Sequence, residues 1–214
     1  MLAAQYGTTP KASAQDYPAR ATLEKLSIGA EYLVHSFSSG RDMFIAKDYL
    51  VVEVALFPAN GQTLLADSGH FSLRVNGHKQ ALAPQTPEIV AATLKYPDPN
   101  SGVHSVEQVG PVVFGQPRPA ERFPGDPNAR TNPPRPVPDD NLGGLDKQPP
   151  IKAEELVVQA ALPGGEHRGP TSGYLYFPYR GKVSHIRSLE LIFAGPAGNA
   201  TLQLLEVAGA TYHP

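Results

Sequence analysis

The chain contains no cysteine. That single absence removes disulfide frameworks, thiolate zinc sites, iron–sulfur ligation and cysteine nucleophiles, so stability has to come from packing. An excess of charge of either sign is also missing: 18 basic and 20 acidic side chains leave a formal net charge of -2. Such a balance gives no electrostatic reason to bind nucleic acid or an anionic membrane. No run approaches the ~18 apolar residues that span a bilayer, and the longest apolar piece, Tyr49 to Pro58, is interrupted by Glu53. Nucleophile-elbow, zincin, P-loop and dinucleotide-binding patterns do not occur. The nearest approach, Gly195-Pro196-Ala197-Gly198-Asn199-Ala200, lacks the Lys-Ser/Thr ending and reads as a β-turn.

Proline, by contrast, is abundant and concentrated. Between Tyr96 and Pro150, 55 residues hold 13 of the 23 prolines. So many missing N–H groups do not fit a sheet or helix, and residues 96–150 are expected to run as a surface excursion. What remains is about 160 residues, near the usual size of a single domain. Residues 1–25, polar and broken by Pro10 and Pro18, read as an extended N-terminal arm. Residues 26–95 and 151–208 read as two halves of one β-domain.

Strand signals are frequent in both halves. Tyr32 to Phe37 leads to the turn Ser38-Ser39-Gly40, and Tyr49 to Phe57 is apolar on both faces apart from Glu53, as a central strand would be. Phe71, Leu73 and Val75 alternate with polar residues before Asn76-Gly77, which predicts a tight hairpin into His78 to Leu82. Pro87 to Leu94 predicts a short helix capped by Thr86, and Ala153 to Leu162 a second one with glutamates near its start. Gly173 to Pro178, Ile186 to Phe193 and Ala200 to Leu205 complete the strands. The expected fold is mainly β, an antiparallel β-sandwich with one or two short helices and a long proline-rich insertion.

The closing strands, Gly173-Tyr174-Leu175-Tyr176-Phe177-Pro178, Leu189-Glu190-Leu191-Ile192-Phe193 and Ala200-Thr201-Leu202-Gln203-Leu204, resemble the last strands of immunoglobulin-like domains in exported bacterial proteins. The resemblance covers about 45 residues and rests on strand pattern. It implies an immunoglobulin-like sandwich and brings no site residues with it, since the Cys and Trp landmarks of antibody domains are absent.

Candidate site chemistry is sparse. Seven histidines stand singly, with His35, His70 and His185 the ones that could meet across strands. Asp98, Asp126 and Asp139 open Asx-rich clusters in the excursion that read as turns rather than calcium loops. Glu53 is the one acid whose position suggests burial. Tyr174 and Tyr176 share a strand face, either as core or as a contact or sugar-stacking surface, while Phe114 and Phe123 are the apolar anchors of the excursion. The sequence thus points to no catalytic, cofactor or metal residues. It leads to the expectation of a non-enzymatic structural or interaction protein, secreted, periplasmic or at the cell surface. Its contacts, self-association among them, would use the N-terminal arm and the excursion, with Tyr174, Tyr176, Phe114 and Phe123 as contact residues. A carbohydrate- or small-ligand-binding β-sandwich module is the alternative.

Overall fold

Strand β5 (Tyr49–Pro58) is hydrogen-bonded on both edges, to β2 (Leu26–Tyr32) and to β9 (Thr171–Pro178), and β1 (Ala19–Thr22) extends the sheet beyond β2. A computed structural model describes residues 7–39, 42–96 and 152–206. A second antiparallel sheet has the order β11 (Gly198–Glu206), β10 (Ser188–Gly195), β7 (Phe71–Val75). Two small pairs complete the strands: β3 (Ser36–Ser39) with β4 (Asp42–Ile45), and β6 (Leu64–Ala66) with β8 (Gly165–His167). Helices α1 (Pro87–Lys95) and α2 (Ala153–Gln159) pack on each other.

The alternation of β5 decides where everything else goes. Leu50, Val52, Val54 and Leu56 point to one face and meet Ile28, Ala30, Leu175 and Phe177 of their own sheet and Leu73, Leu189, Leu191 and Phe193 of the other. The two sheets therefore share one core, an arrangement compatible with a β-sandwich. Strands from both sides of the excursion contribute to it, and all described residues belong to one compact unit. Tyr49 and Val51 point to the opposite face, where Phe37, Phe44, Val90, Leu156 and Val157 cover them. An apolar strand with cover on both sides is the expected consequence of its near-continuous hydrophobic run.

Several sequence expectations change on the structure. Tyr32 to Phe37 is not one strand. It breaks at Val34, whose φ of 62° sets a bulge in which Leu33 N–H donates to the Val51 carbonyl and Val51 N–H to the Val34 carbonyl. At Asn76-Gly77 the turn forms, with φ of 51° and 67°, but the returning strand does not: one bridge, Leu73 to Leu82, is all that remains of the hairpin. The reason lies in Asn76, whose side-chain oxygen accepts from Arg187 and Ser188 N–H and whose amide donates to the His185 carbonyl. Those bonds commit the turn to the start of β10, and His78 to Gln80 loop outward.

The segment read as an extended arm pairs with the protein's own body from Gly7 onward. Thr8 bridges to Ser172, residues 14–16 form a 3-10 turn capped by Ser13, and β1 pairs along its whole length with β2. Residues 97–150 lie outside the described residues, and so do Phe114, Phe123 and the three Asx clusters.

Strand β9 is at the end of its sheet, yet its outer edge is occupied. Thr8 N–H donates to the Ser172 carbonyl, Leu162 N–H to Tyr174, Gln85 N–H to Tyr176, and Tyr174 N–H to Ala160. The approach of the Ala161-Leu162 backbone requires glycine at 173, because a Cβ there would meet the Leu162 amide nitrogen at 2.4 Å.

Two outcomes test this architecture. Val54→Asp places a charge at a fully buried position facing the shared core, and the protein is expected to be unfolded by circular dichroism in buffer; a folded variant of ordinary stability would mean β5 is not central. Val34 is β-branched at positive φ and exposed, so Val34→Gly should raise stability by about 1 kcal/mol in denaturant titration. A loss of stability would mean that the bulge is shaped otherwise.

Candidate functional site

Tyr174 and Tyr176 are interior residues, at 5% and 1% exposure. The covering hairpin β3–β4 places Phe37 against both, with ring centroids 6.4 and 6.0 Å away and edge-to-face geometry, and Phe44 stacks on Phe37 at 5.6 Å. Each hydroxyl is used by the cover itself. Tyr176 donates to the Val157 carbonyl in α2 at 3.3 Å and Tyr174 to the Ser38 carbonyl in β3 at 3.2 Å. Burial pushes the Tyr176 phenol well above its usual range. A sugar-stacking or protein-contact platform needs an open face, and these two rings have none; their role is to fasten the hairpin and α2 to the sheet.

Glu53 follows the outward alternation of β5 but is not free in solvent. It sits directly opposite Glu31 of β2, so two like charges occupy one cross-strand pair, an unfavourable arrangement unless something intervenes. The N-terminal segment does. Thr8 Oγ1 donates to Glu53 Oε1 at 2.7 Å and also meets Ser172 Oγ at 2.7 Å, while Lys11 Nζ bonds Glu31 Oε2 at 2.6 Å. Lys11 also stands 4.6 Å over the Tyr17 ring, whose hydroxyl accepts from the Lys11 backbone N–H. Tyr17 packs edge-on to Phe57 at 6.3 Å and is 1% exposed. Burial raises the Glu53 carboxyl above its ordinary range, the Thr8 bond lowers it, Glu31 raises it and Lys11 lowers it, with a net rise. Residues distant in sequence thus form a polar cluster in which Lys11 pairs with Glu31 and Thr8 bonds Glu53, which suits holding the segment down on the sheet.

Pockets among the described residues include two of small-ligand size. One, of about 450 Å³, runs between α1 and α2 and is lined by Ala91, Ala92, Tyr96, Val158 and neighbouring polar residues. Tyr96 is 72% exposed there. The other, of about 510 Å³, lies beside the Asn76 turn, lined by Val75, His78, Lys79, Gln80, Leu82 and Tyr179. Close to Tyr179 is Tyr32, whose buried hydroxyl has no hydrogen-bond partner and whose phenol is pushed up to about 12, by burial first and by Tyr179 second. Sequence reasoning missed this pocket because the hairpin signal at Asn76-Gly77 implied paired strand where the chain loops out.

The histidines do not converge. His35 Nδ1 lies 2.6 Å from the Tyr49 carbonyl, His70 packs edge-on to Phe193, and His185 ends a 3-10 turn before β10. Among the described residues no three His, Asp or Glu side chains form a group able to hold a metal ion. No described helix is long and apolar enough to cross a membrane.

The Glu53 cluster has a pH signature. Because the folded carboxyl titrates above the ordinary value of 4.5, its protonation favours the fold. The relative stabilisation is complete below 4.5 and is lost as pH rises through the folded value. Glu53→Gln keeps an acceptor for Thr8 and removes the charge, so it should melt at a higher temperature than wild type at pH 7.5, the difference fading as pH falls below 4.5. A variant less stable than wild type at pH 7.5 would show that the carboxylate is net stabilised by its neighbours.

No family model matches the chain, and neither a curated protein nor a solved structure matches it.

Proposed function

We propose that the protein is a non-enzymatic interaction protein of the secreted, periplasmic or cell-surface kind, a β-sandwich body that carries its proline-rich stretch as a contact device. One observation carries this reading. Helix α1 ends at Lys95, α2 begins at Ala153, and both contribute to one groove: Tyr96, the last described residue before the excursion, and Glu154, near its return, line the same surface. The two ends of the described chain that flank residues 97–151 are therefore held at one place, by two helices whose buried residues Val90, Leu156 and Val157 belong to the outer core.

The N-terminal arm has no part in this proposal from Gly7 on, since it is spent on the protein's own sheet. The occupant proposed for the contact is a second copy of this chain, and proline-rich segments bind partners at low ordering cost. The two packed antiparallel sheets suit an immunoglobulin-like sandwich, the reading that the closing strands support. Absence of cysteine and a proline-, glycine-rich composition support export.

Deleting residues 97–151 and joining Tyr96 to Lys152 through a short Gly/Ser linker tests the proposal, since closing this loop costs little chain entropy. Light scattering after size-exclusion chromatography is expected to show an assembled wild type and a monomeric deletion variant with an unchanged melting temperature. A wild type that stays monomeric at ~100 μM, a generous concentration for a micromolar contact, would sink self-association through the excursion.

A further inference from the structure

The end of the β-body at the Asn76 turn concentrates positive charge around a pocket. Two segments meet there, 76–87 and 178–189, tied together by the three hydrogen bonds of the Asn76 side chain to His185, Arg187 and Ser188. In a chain whose charges nearly balance, these segments carry Lys79, Arg180, Lys182 and Arg187 with His78 and His185, and no acid. All six are exposed, and the four cations make no ion pair with any described residue. Described acids on adjoining elements include Asp48, whose carbonyl accepts from Tyr179 N–H, and Glu206, opposite Ser188 at the end of β11; Glu190 is already paired with Arg74 at 3.1 Å.

The pocket itself is not a bare charge patch. Val75 and Leu82 form an apolar wall, and the half-buried Tyr179 gives it an aromatic surface, with Lys79, His78 and Gln80 bringing donors to the rim. The loop 180–182 folds closely against the Tyr179 ring: a Cβ at Gly181 would meet its Cζ and hydroxyl oxygen at 2.6 Å. Arg180 and Lys182 flank the glycine that makes this approach and are both exposed. A volume of about 510 Å³ is in the range of small-ligand sites, in which an apolar lining binds and a few polar groups orient.

We propose that this pocket binds an acidic saccharide: a pyranose ring lies against Tyr179 and Leu82, and its carboxylate or sulfate is held by Lys79, Arg180 and His78. The weakly positive C–H face of a sugar ring suits the negative face of an aromatic, and Arg and Lys supply the charge-assisted hydrogen bonds that a sugar anion needs. None of its residues belongs to the excursion or to the helical groove, so its test is separate from that of self-association. It also relocates the aromatic ligand surface from Tyr174 and Tyr176, which are covered, to Tyr179.

Isothermal titration of the full chain at low salt tests it with four probes: tetragalacturonate, a heparin-derived sulfated tetrasaccharide, neutral maltotetraose and hexaglutamate. At least one acidic saccharide should bind, and its preference identifies carboxylate or sulfate as the recognised anion. Maltotetraose and hexaglutamate should each be weaker by about tenfold or more, the loss of one well-formed contact. The Lys79→Gln, Arg180→Gln double variant, altered only at exposed positions, should lose about tenfold in saccharide affinity at an unchanged melting temperature. Tyr179→Leu should weaken the acidic saccharide and leave hexaglutamate as it was. Failure of both acidic saccharides to bind, hexaglutamate binding as tightly as they do, or full affinity in the double variant would each overturn the proposal.

Discussion

Strand β5 buries side chains on both of its faces, and that requirement organises the rest of the molecule. A two-sided apolar strand is stable only in the middle of a sheet that is itself covered twice. One cover is the second sheet, which supplies Leu73, Leu189, Leu191 and Phe193. The other is a patchwork of the β3–β4 hairpin, α1, α2 and the N-terminal segment, none of which extends the main sheets except β1. Each patch is short, so each is fastened by its own device. Phe37 with the two tyrosines holds the hairpin, the Val157 carbonyl receives Tyr176, and Thr8 and Lys11 reach the carboxylates.

Glu53 shows what happens where this cover is polar. On a face otherwise made of Tyr49, Val51 and Ala55, a carboxylate is tolerated because the segment passing over it brings a hydroxyl and, through Glu31, an ammonium. The Lys11–Glu31 pair is surface-exposed, so its direct contribution is small and salt-dependent. Its importance is positional. It offsets part of the charge opposite the half-buried Glu53, whose carboxyl stays raised because burial outweighs the Thr8 bond and Glu31 adds to the rise.

Much of the β-framework was legible in the sequence, for reasons that individual elements make clear. Tyr49 to Phe57 announces a central strand by its run of β-branched and large apolar residues, and Phe71, Leu73 and Val75 announce a one-sided strand by strict alternation. Pro87 behind Thr86 marks the start of α1 correctly, although Thr86 makes no side-chain cap bond. Features set by tertiary contacts were hidden. Nothing local in Tyr32 to Phe37 signals positive φ at a valine, and β8 is a short polar piece, Gly165 to His167, that becomes a strand only because β6 lies beside it. The Asn76-Gly77 signal was read correctly as a turn and wrongly as a hairpin, because its side chain is claimed by a strand more than a hundred residues away. Of the contact residues expected from sequence, Tyr174 and Tyr176 turned inward for the same kind of reason: same-face aromatics look alike whether solvent or a hairpin covers them.

The dressing of strand β9 has a bearing on how copies of the protein can meet. An uncovered edge strand is a template on which another chain's strand can add, and natural sheets guard against it with bulges, charges or covering segments. Here the guard is made from pieces of three separate parts of the chain, Thr8, Gln85 and Ala160 to Leu162, each satisfying backbone groups that would otherwise recruit a neighbour. Ladder-to-ladder growth into fibrils is therefore closed off along this side. Thr8 is partly exposed, and a protease that removes residues 1–10 would convert a capped sheet into one with a partly open seam.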